Sequence, residues 1–133
     1  MALNLELKEG VIISTTVGDV DFEEGFRAFS QAIEKARTSS ASTPQLRWHL
    51  IFNLLESTEK RSAHEIQGIA QYIGSHRDIL SGRCAMVVTQ PLYFGLSRMF
   101  GTFLEKYGVE MAVFDSMEKA HDWITPPPAP PPA

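Results

Sequence analysis

The histidines, the acidic residues near position 20 and the single cysteine are the residues that could build a catalytic or metal site. None of the four histidines pairs with another at the i, i+4 spacing of a helical metal site, and no cysteine accompanies them at ligand spacing. The four acidic residues between Asp19 and Glu24 could offer oxygen ligands to Ca²⁺ or Mg²⁺, but their spacing matches no calcium-binding loop. Acidic residues at a helix start are also expected from the helix dipole. We therefore predict no metal site and no cofactor.

His49 and Asn53 are unusual because both fall within an apolar strand pattern. Alternation from Leu46 to Leu55 places a wholly apolar set of side chains on one side, and His49 and Asn53 on the other. A buried histidine there would need hydrogen-bond partners. We interpret His49 as structural, and both residues stay candidate contacts for a partner or ligand. A hydrolase using His49 or Asp115 is a further alternative, but no Gly-x-Ser-x-Gly elbow or glycine-rich phosphate loop is present. We predict that the protein is not an enzyme.

Ser62 stands where a helix is predicted to begin. The run Ser62-Ala63-His64-Glu65 has the spacing of a capping box, in which the serine hydroxyl accepts a bond from the third helical N–H and Glu65 reaches back to the cap. A structural N-cap therefore explains the serine. Arg61 and His64 flank the cap and are candidate contacts for a partner or ligand.

Tyr93 and Phe94 are surplus to the predicted inner face of the helix that begins at Pro91. That face is predicted to carry Leu92, Leu96, Met99, Phe100, Phe103 and Tyr107. Tyr93 and Phe94 therefore either pack on a neighbouring helix or form an exposed patch for a partner or an apolar ligand.

The elements that position these residues follow one another as β-β-α-β-α-β-α-β-α. Because a hairpin precedes strands joined by helical crossovers, we predict an α/β fold with a mixed sheet of about five strands, four helices, and helices concentrated on one face. The run Thr38 to Thr43 is predicted to be an exposed loop. Strands are predicted at Leu3 to Leu7, Val11 to Val17, Leu46 to Leu55, Arg83 to Thr89 and Val109 to Phe114, with helices after Asp21, Ser62, Gln90 and Ser116.

Composition limits the class of protein and of partner. The chain has 133 residues, of which 44% are apolar, and this is the size and composition of one globular domain. A net charge of −4 without a Lys/Arg cluster argues against nucleic acid as a partner. Cys84 is the only cysteine, so no internal disulfide can form, and a cytoplasmic location is predicted. No stretch approaches the roughly twenty apolar residues of a membrane span.

The end of the chain is almost entirely proline. We predict a single domain over residues 1–124 and a disordered, extended tail over residues 125–133, because proline cannot join a helix or a sheet interior. A ligand for a proline-recognising groove is the alternative interpretation of this tail.

The order of elements and three segments resemble the STAS-like family, the fold of sporulation anti-sigma-factor antagonists (SpoIIAA-like). The segments are Leu50 to Leu54, Pro91 to Phe100, and Val113 to Ile124. Within that family the chain looks most similar to small bacterial proteins of unknown activity that are often grouped with lipid-binding CRAL-TRIO-like domains. The resemblance covers Leu3 to Ile124. Family members often carry Asp at the position of Asn53.

The resemblance implies a regulatory module that is switched by phosphorylation. In the antagonists a hydroxyl near the start of the second helix accepts the phosphate, and the usual position here is Ala63, so Ser62 is the remaining candidate phospho-acceptor. A phosphate on Ser62 would lie at a helix N-terminus beside Arg61. We predict a non-enzymatic STAS-like regulatory or protein-interaction module with a protein partner or a homodimer. The alternative is a carrier of a small apolar or lipid-like ligand.

Overall fold

The chain alternates strands and helices in the predicted order. The computed structural model describes residues 2–39, 48–80 and 82–125. The series β-β-α-β-α-β-α-β-α is confirmed, and no helix in the described part is long and apolar enough to cross a membrane. In chain order the elements are β1 (Ala2–Lys8), β2 (Val11–Gly18), α1 (Phe22–Ser39), β3 (His49–Ser57), α2 (Ala63–Ser75), β4 (Cys84–Val87), α3 (Pro91–Glu105), β5 (Met111–Phe114) and α4 (Met117–Ile124).

The strands form one mixed sheet whose spatial order is the chain order, β1-β2-β3-β4-β5. β1 pairs antiparallel with β2, and every later pair is parallel. Lys8 pairs with Val11, so the hairpin turn consists of Glu9 and Gly10, and both have positive φ angles, 51° and 82°. That geometry is the type I′ turn, which suits the twist of a hairpin and favours glycine. The predicted mixed sheet is confirmed.

Helices cover the two faces of the sheet unequally, as predicted. The first face packs against α1, α2 and α3, and its core includes Ile12, Leu50 and Met86. The second face packs against α4 alone, and its core includes Ile13, Ile51 and Val87. Because successive strand residues point to opposite faces, β3 contributes Leu50 to one core and Ile51 to the other. β3 is therefore an interior strand, as its composition predicts.

The prediction for the inner face of α3 was wrong for Leu92 and Tyr93, whereas the other predicted residues, Leu96, Met99, Phe100, Phe103 and Tyr107, do pack against the core. Leu92, assigned to the inner face, is 61% exposed, whereas the predicted surplus residue Tyr93 is 4% exposed. The most deeply buried side of the helix is therefore turned from the predicted stripe toward Tyr93 and Ser97. The physical reason is that Ser97 and Tyr93 are buried polar residues, so the buried side of the helix is not its most apolar side. The residues buried on α3 are Tyr93, Ser97, Phe100 and Leu104.

Several element boundaries also differ from the predictions. α1 continues through Ser39, so Thr38 and Ser39, which were predicted to begin the loop, are helical, and the Thr38 hydroxyl donates to the Glu34 carbonyl one turn earlier (3.1 Å). β4 and β5 are shorter than predicted. The predicted start of β3 at Leu46, the rest of the loop and the proline-rich tail beyond Thr125 lie outside the described residues.

Candidate functional site

An apolar cavity of about 120 Å³ lies between the first face of the sheet and α1, α2 and α3. It is at the carboxyl half of β2 and β3, the edge of a parallel sheet at which α/β proteins usually bind ligands. The rings of Phe29 and Phe52 are 5.7 Å apart, and those of Phe52 and Phe100 are 5.9 Å apart. The aromatic residues that line the cavity are Phe22, Phe26, Phe29, Phe52, Tyr93 and Phe100.

Three small polar residues interrupt this apolar lining. Ser14 and Thr16 follow Ile12 on the first face of β2, and both are buried. Ser97 of α3 is 1% exposed, and its hydroxyl oxygen has no hydrogen-bond partner among the described residues. An unpaired buried hydroxyl is costly, so such groups call for an explanation. The lining of the cavity is therefore apolar apart from these small hydroxyl-bearing residues and the Arg61–Glu59 pair.

Arg61 lines both the cavity and a neighbouring groove on the protein surface. Its guanidinium donates to the Val20 carbonyl at 2.6 Å and to the Glu59 carboxylate at 2.8 Å, and lies 5.4 Å from the centre of the Phe22 ring. Both members of the ion pair are largely buried, at 15% and 14% side-chain exposure. Burial raises the pKa of Glu59 above its ordinary value, although Arg61 opposes this. Arg61 thus ties the loop before α1 to the loop before α2.

Tyr93 anchors the start of α3 to the loop that follows β3. Its hydroxyl donates to the Glu59 carbonyl at 2.7 Å and lies 3.2 Å from the Ser57 hydroxyl. Gln90, just before α3, donates to the Ser57 carbonyl at 3.1 Å. Tyr93 is therefore no part of an exposed patch. Tyr93 lines the cavity, and its hydroxyl connects α3 to the loop at the edge of the cavity.

We expect Tyr93→Phe to lower the free energy of unfolding by about 1 kcal/mol, because it removes one hydroxyl and leaves the Glu59 carbonyl without its donor. The measurement is urea unfolding of wild type and variant. Tyr107→Phe is the matched control. Tyr107 is half-buried just after α3, and within the described residues its hydroxyl makes no hydrogen bond. Equal losses in both variants would contradict the anchoring role of Tyr93.

The starts of α2 and α3 also present an exposed surface, which we define as Ser62, His64, Leu92 and Phe94. Ser62 is exposed, and its hydroxyl accepts from the Glu65 N–H at 3.1 Å while the Glu65 carboxylate accepts from the Ser62 N–H at 2.8 Å. The capping box is thus complete. Leu92 is 61% exposed and Phe94 41%. An exposed hydroxyl and two large exposed apolar side chains therefore lie at the same edge of the sheet.

His49 and Asn53 lie away from this surface, on the second face of the sheet. The His49 Nδ1 accepts from the backbone N–H of Arg83 at 2.8 Å, so the ring proton is on Nε2. Burial, with a contribution from the Arg83 charge, lowers the pKa of His49. The Asn53 Oδ1 accepts from the Leu55 N–H at 3.2 Å, beside the irregularity in the β2–β3 register. Each of these two side chains therefore accepts a hydrogen bond from a backbone N–H group.

The lowered pKa of His49 predicts a loss of stability in weak acid. As pH falls below about 6.5, the unfolded chain takes up a proton at His49 before the folded chain does. The free energy of unfolding therefore decreases with pH until the pH reaches the lowered pKa of His49 in the folded chain. We expect the urea midpoint to fall between pH 7.5 and pH 5.5, and to fall less in His49→Gln. An identical decrease in both proteins would show that His49 does not carry this effect.

The remaining candidates are not brought together. His49 begins β3 at the amino edge of the parallel strands, whereas Asp115 follows β5 at the carboxyl edge, so the two do not form a common site. Within the described ranges, no group of three His, Cys, Asp or Glu side chains is placed to hold a metal ion. Cys84 is fully buried, and burial raises the pKa of its thiol. The cavity and the exposed surface are therefore the two features with possible functions.

Known structures show the same fold. A scan against protein-family models and a search of curated proteins both find no match. An uncharacterized DUF3478-family protein with a SpoIIAA-like fold, from Shewanella loihica PV-4, superposes with a TM-score of 0.61 at 17% identity over 92% of each chain. The anti-sigma factor antagonist SpoIIAA in its unphosphorylated form superposes with a TM-score of 0.58 at 17% identity over 95% of this chain and 100% of its own. The chain therefore has the SpoIIAA-like fold that the STAS-like resemblance implies.

Proposed function

We propose that the protein is a non-enzymatic regulatory module that binds a protein partner, or a second copy of itself, through the surface formed by Ser62, His64, Leu92 and Phe94. The observation that carries this proposal is the exposure of Leu92 and Phe94, at 61% and 41%, beside the start of α2. Leu92 and Phe94 are two residues apart on α3 and point to different sides of the helix, so each presents exposed apolar area to a partner that contacts the start of this helix. A structural neighbour, SpoIIAA, is an anti-sigma factor antagonist, and this supports a regulatory type of function.

The apolar part of the surface is tested by a Leu92→Ser/Phe94→Ser double variant. The wild-type protein is first used to capture partners from the source cells, and the captured proteins are identified. The affinity of each variant for the purified partner is then measured. Sedimentation equilibrium tests self-association. Val17→Ser is the matched control, because Val17 is an exposed apolar residue on β2, 36% exposed. We expect only the double variant to lose the partner or the dimer. Retention of full affinity by the double variant would contradict the proposed surface.

Ser62 is proposed as the site at which binding is regulated. Its hydroxyl is exposed at a helix N-terminus, where a phosphate is electrostatically favoured, but a phosphate would have to displace the Glu65 carboxylate from the cap. Phosphorylation would therefore rearrange the first turn of α2, next to the partner surface. Such a local rearrangement is a means by which one phosphate could change partner affinity.

Intact-mass measurement after incubation with kinase activity from the source cells tests the switch. Ser116→Ala is the matched control for Ser62→Ala, because Ser116 is also an N-cap and accepts from the Lys119 N–H at 3.3 Å. We expect wild type and Ser116→Ala to gain one phosphate and Ser62→Ala to gain none. If Ser62→Ala is phosphorylated and binds its partner as wild type does, Ser62 is not the switch.

The second candidate function is a carrier of a small apolar ligand, and the cavity supports it. An apolar cavity of about 150 Å³ is enough to hold one benzene molecule. The cavity here is of about 120 Å³, so the proposed ligand is no larger than benzene, with about four to six non-hydrogen atoms, and is not a long lipid chain. Native mass spectrometry of the purified protein should then show added mass of that size, and an unliganded mass with no thermal shift in a panel of small apolar compounds would count against a carrier.

A further inference from the structure

We propose that the outer edge of β1 pairs antiparallel with β1 of a second copy of this chain, so that two five-stranded sheets join into one continuous sheet. This interface is separate from the surface formed by Ser62, His64, Leu92 and Phe94, which it leaves to a protein partner. Three observations support it: the regular edge of β1, the pairing that its sequence allows, and the groove beside its first residues.

β1 is an edge strand that lacks the usual barriers to further pairing. Within the described residues it pairs with β2 alone, without interruption from Ala2 opposite Val17 to Lys8 opposite Val11. Proteins commonly protect such an edge with proline or a bulge. The sequence of β1 contains no proline, and its register with β2 has no bulge. The outer N–H and C=O groups of this strand can therefore pair with another strand.

The sequence of β1 favours one register of self-pairing, the two-fold arrangement centred on Leu5. Leu3 then lies opposite Leu7 of the second copy, Asn4 lies opposite Glu6, and every residue of the strand is paired. Either neighbouring register that keeps the leucines on one face leaves two residues of each strand unpaired, and one of them places Glu6 opposite Glu6, which is unfavourable. The leucines are only half-buried in one copy, so the centred register also removes apolar surface from water.

The groove beside the start of β1 has a lining that suits the end of a second β1. In the centred register, Leu7 of the second copy lies beside Leu3, which lines the groove together with Ala28. Lys8 of the second copy follows at the same end; this lysine is exposed and forms no ion pair in the described part of its own chain. The next residue, Glu9, begins the turn toward β2 of its own copy and leads away from the groove. The charged lining consists of the acidic Asp19, Asp21, Glu24 and Glu65 and the basic Lys60 and Arg61. Because the acidic side chains outnumber the basic ones, the groove favours a cation such as the lysine.

Pairing through β1 leaves both partner surfaces free. Because the two β1 strands run antiparallel, the carboxyl edges of the two sheets point in opposite directions. The surface of Ser62, His64, Leu92 and Phe94 lies at the carboxyl edge of each copy. The dimer therefore presents two such surfaces at opposite ends and is bivalent toward a partner.

Charge substitutions at Asn4 test the register, with the dissociation constant of the full chain measured by sedimentation equilibrium. Asn4 is exposed, and two symmetry-related contacts with Glu6 of the second copy change in each variant. Asn4→Glu creates like-charge pairs and should weaken the dimer about fivefold, whereas Asn4→Lys creates opposite-charge pairs and should tighten it about fivefold. Adding Glu6→Lys to Asn4→Glu makes the pairs attractive again and should recover at least the wild-type affinity.

Controls on α3 separate this interface from other effects. Thr102→Glu and Thr102→Lys make the same changes of charge at an exposed position and should leave the dissociation constant unchanged. A wild-type chain that stays monomeric at about 1 mM, or Asn4→Glu and Asn4→Lys variants that change the dimer equally, would overturn pairing through β1 and leave the proposed partner surface untouched. The Leu92→Ser/Phe94→Ser variant should dimerise as wild type does. Loss of its dimer would place self-association at the partner surface and would also overturn pairing through β1.

Discussion

Replacing Leu104 by alanine is expected to lower the free energy of unfolding by about 3 kcal/mol. The Leu104 side chain is fully buried at 0% exposure in the core between α3 and the sheet. Large-to-small substitutions of this kind cost the transfer free energy of the deleted atoms and a further term for the cavity that remains. A small domain has only about 5 to 15 kcal/mol of stability, so the loss would be a large fraction of the total.

Leu92→Ala is the matched control, because it makes the same chemical change on the same helix at a position that is 61% exposed. Its effect should lie within about 0.5 kcal/mol of zero. Urea unfolding of the two variants therefore measures which side of α3 faces the core. Similar losses at the two positions would mean that the rotation of α3 described above is wrong.

Gly74→Ala is expected to destabilise the protein by about 2 kcal/mol, although alanine is usually the better helix former. A Cβ atom built at Gly74 would overlap Cγ and its neighbouring atoms in the Tyr107 ring. Because Cγ is the end of the ring nearest the backbone, the whole Tyr107 side chain would have to leave its place in the core or α2 would have to shift. Overpacking of this kind typically costs about 1 to 3 kcal/mol.

Gly68→Ala tests the opposite sign in the same helix. A Cβ atom at Gly68 would meet nothing within 4 Å, so only the helix propensity changes. We expect a gain of about 0.5 to 1 kcal/mol. Thermal or urea unfolding of both variants gives the comparison. A stabilising Gly74→Ala would mean that α2 and α3 are less closely packed at Tyr107 than described.

The sheet could be predicted because its strands carry strong local signals. Leu3, Leu5 and Leu7 alternate with polar residues, and all three side chains lie on the first face. The run Ala85 to Val88 has no polar alternation, and all of it is buried. In both cases a strand residue has only two faces to choose between, so the side-chain pattern decides the orientation.

The rotation of α3 and the cavity could not be predicted in the same way. A helix residue can point in many directions, and Leu92 and Tyr93 differ in burial because the Tyr93 hydroxyl has partners that no sequence pattern shows. The cavity depends on residues from β1, β2, β3, β4, α1, α2 and α3 that meet only after folding. One signal was present: Ser14 and Thr16 follow Ile12 on a strand face that should otherwise be apolar, and both line the cavity.

The strand order of the sheet has a consequence for folding kinetics. Each strand pairs with the strand that precedes it in the chain, so no later strand has to be inserted between two that have already formed. Only the hairpin pairing closes a short segment of chain, whereas the parallel pairings join distant residues such as Val11 and His49, and such non-local pairings form slowly. The β1–β2 hairpin can form first, and each βα unit can then add to the growing edge. The strands can thus join the sheet in the order in which they occur in the chain.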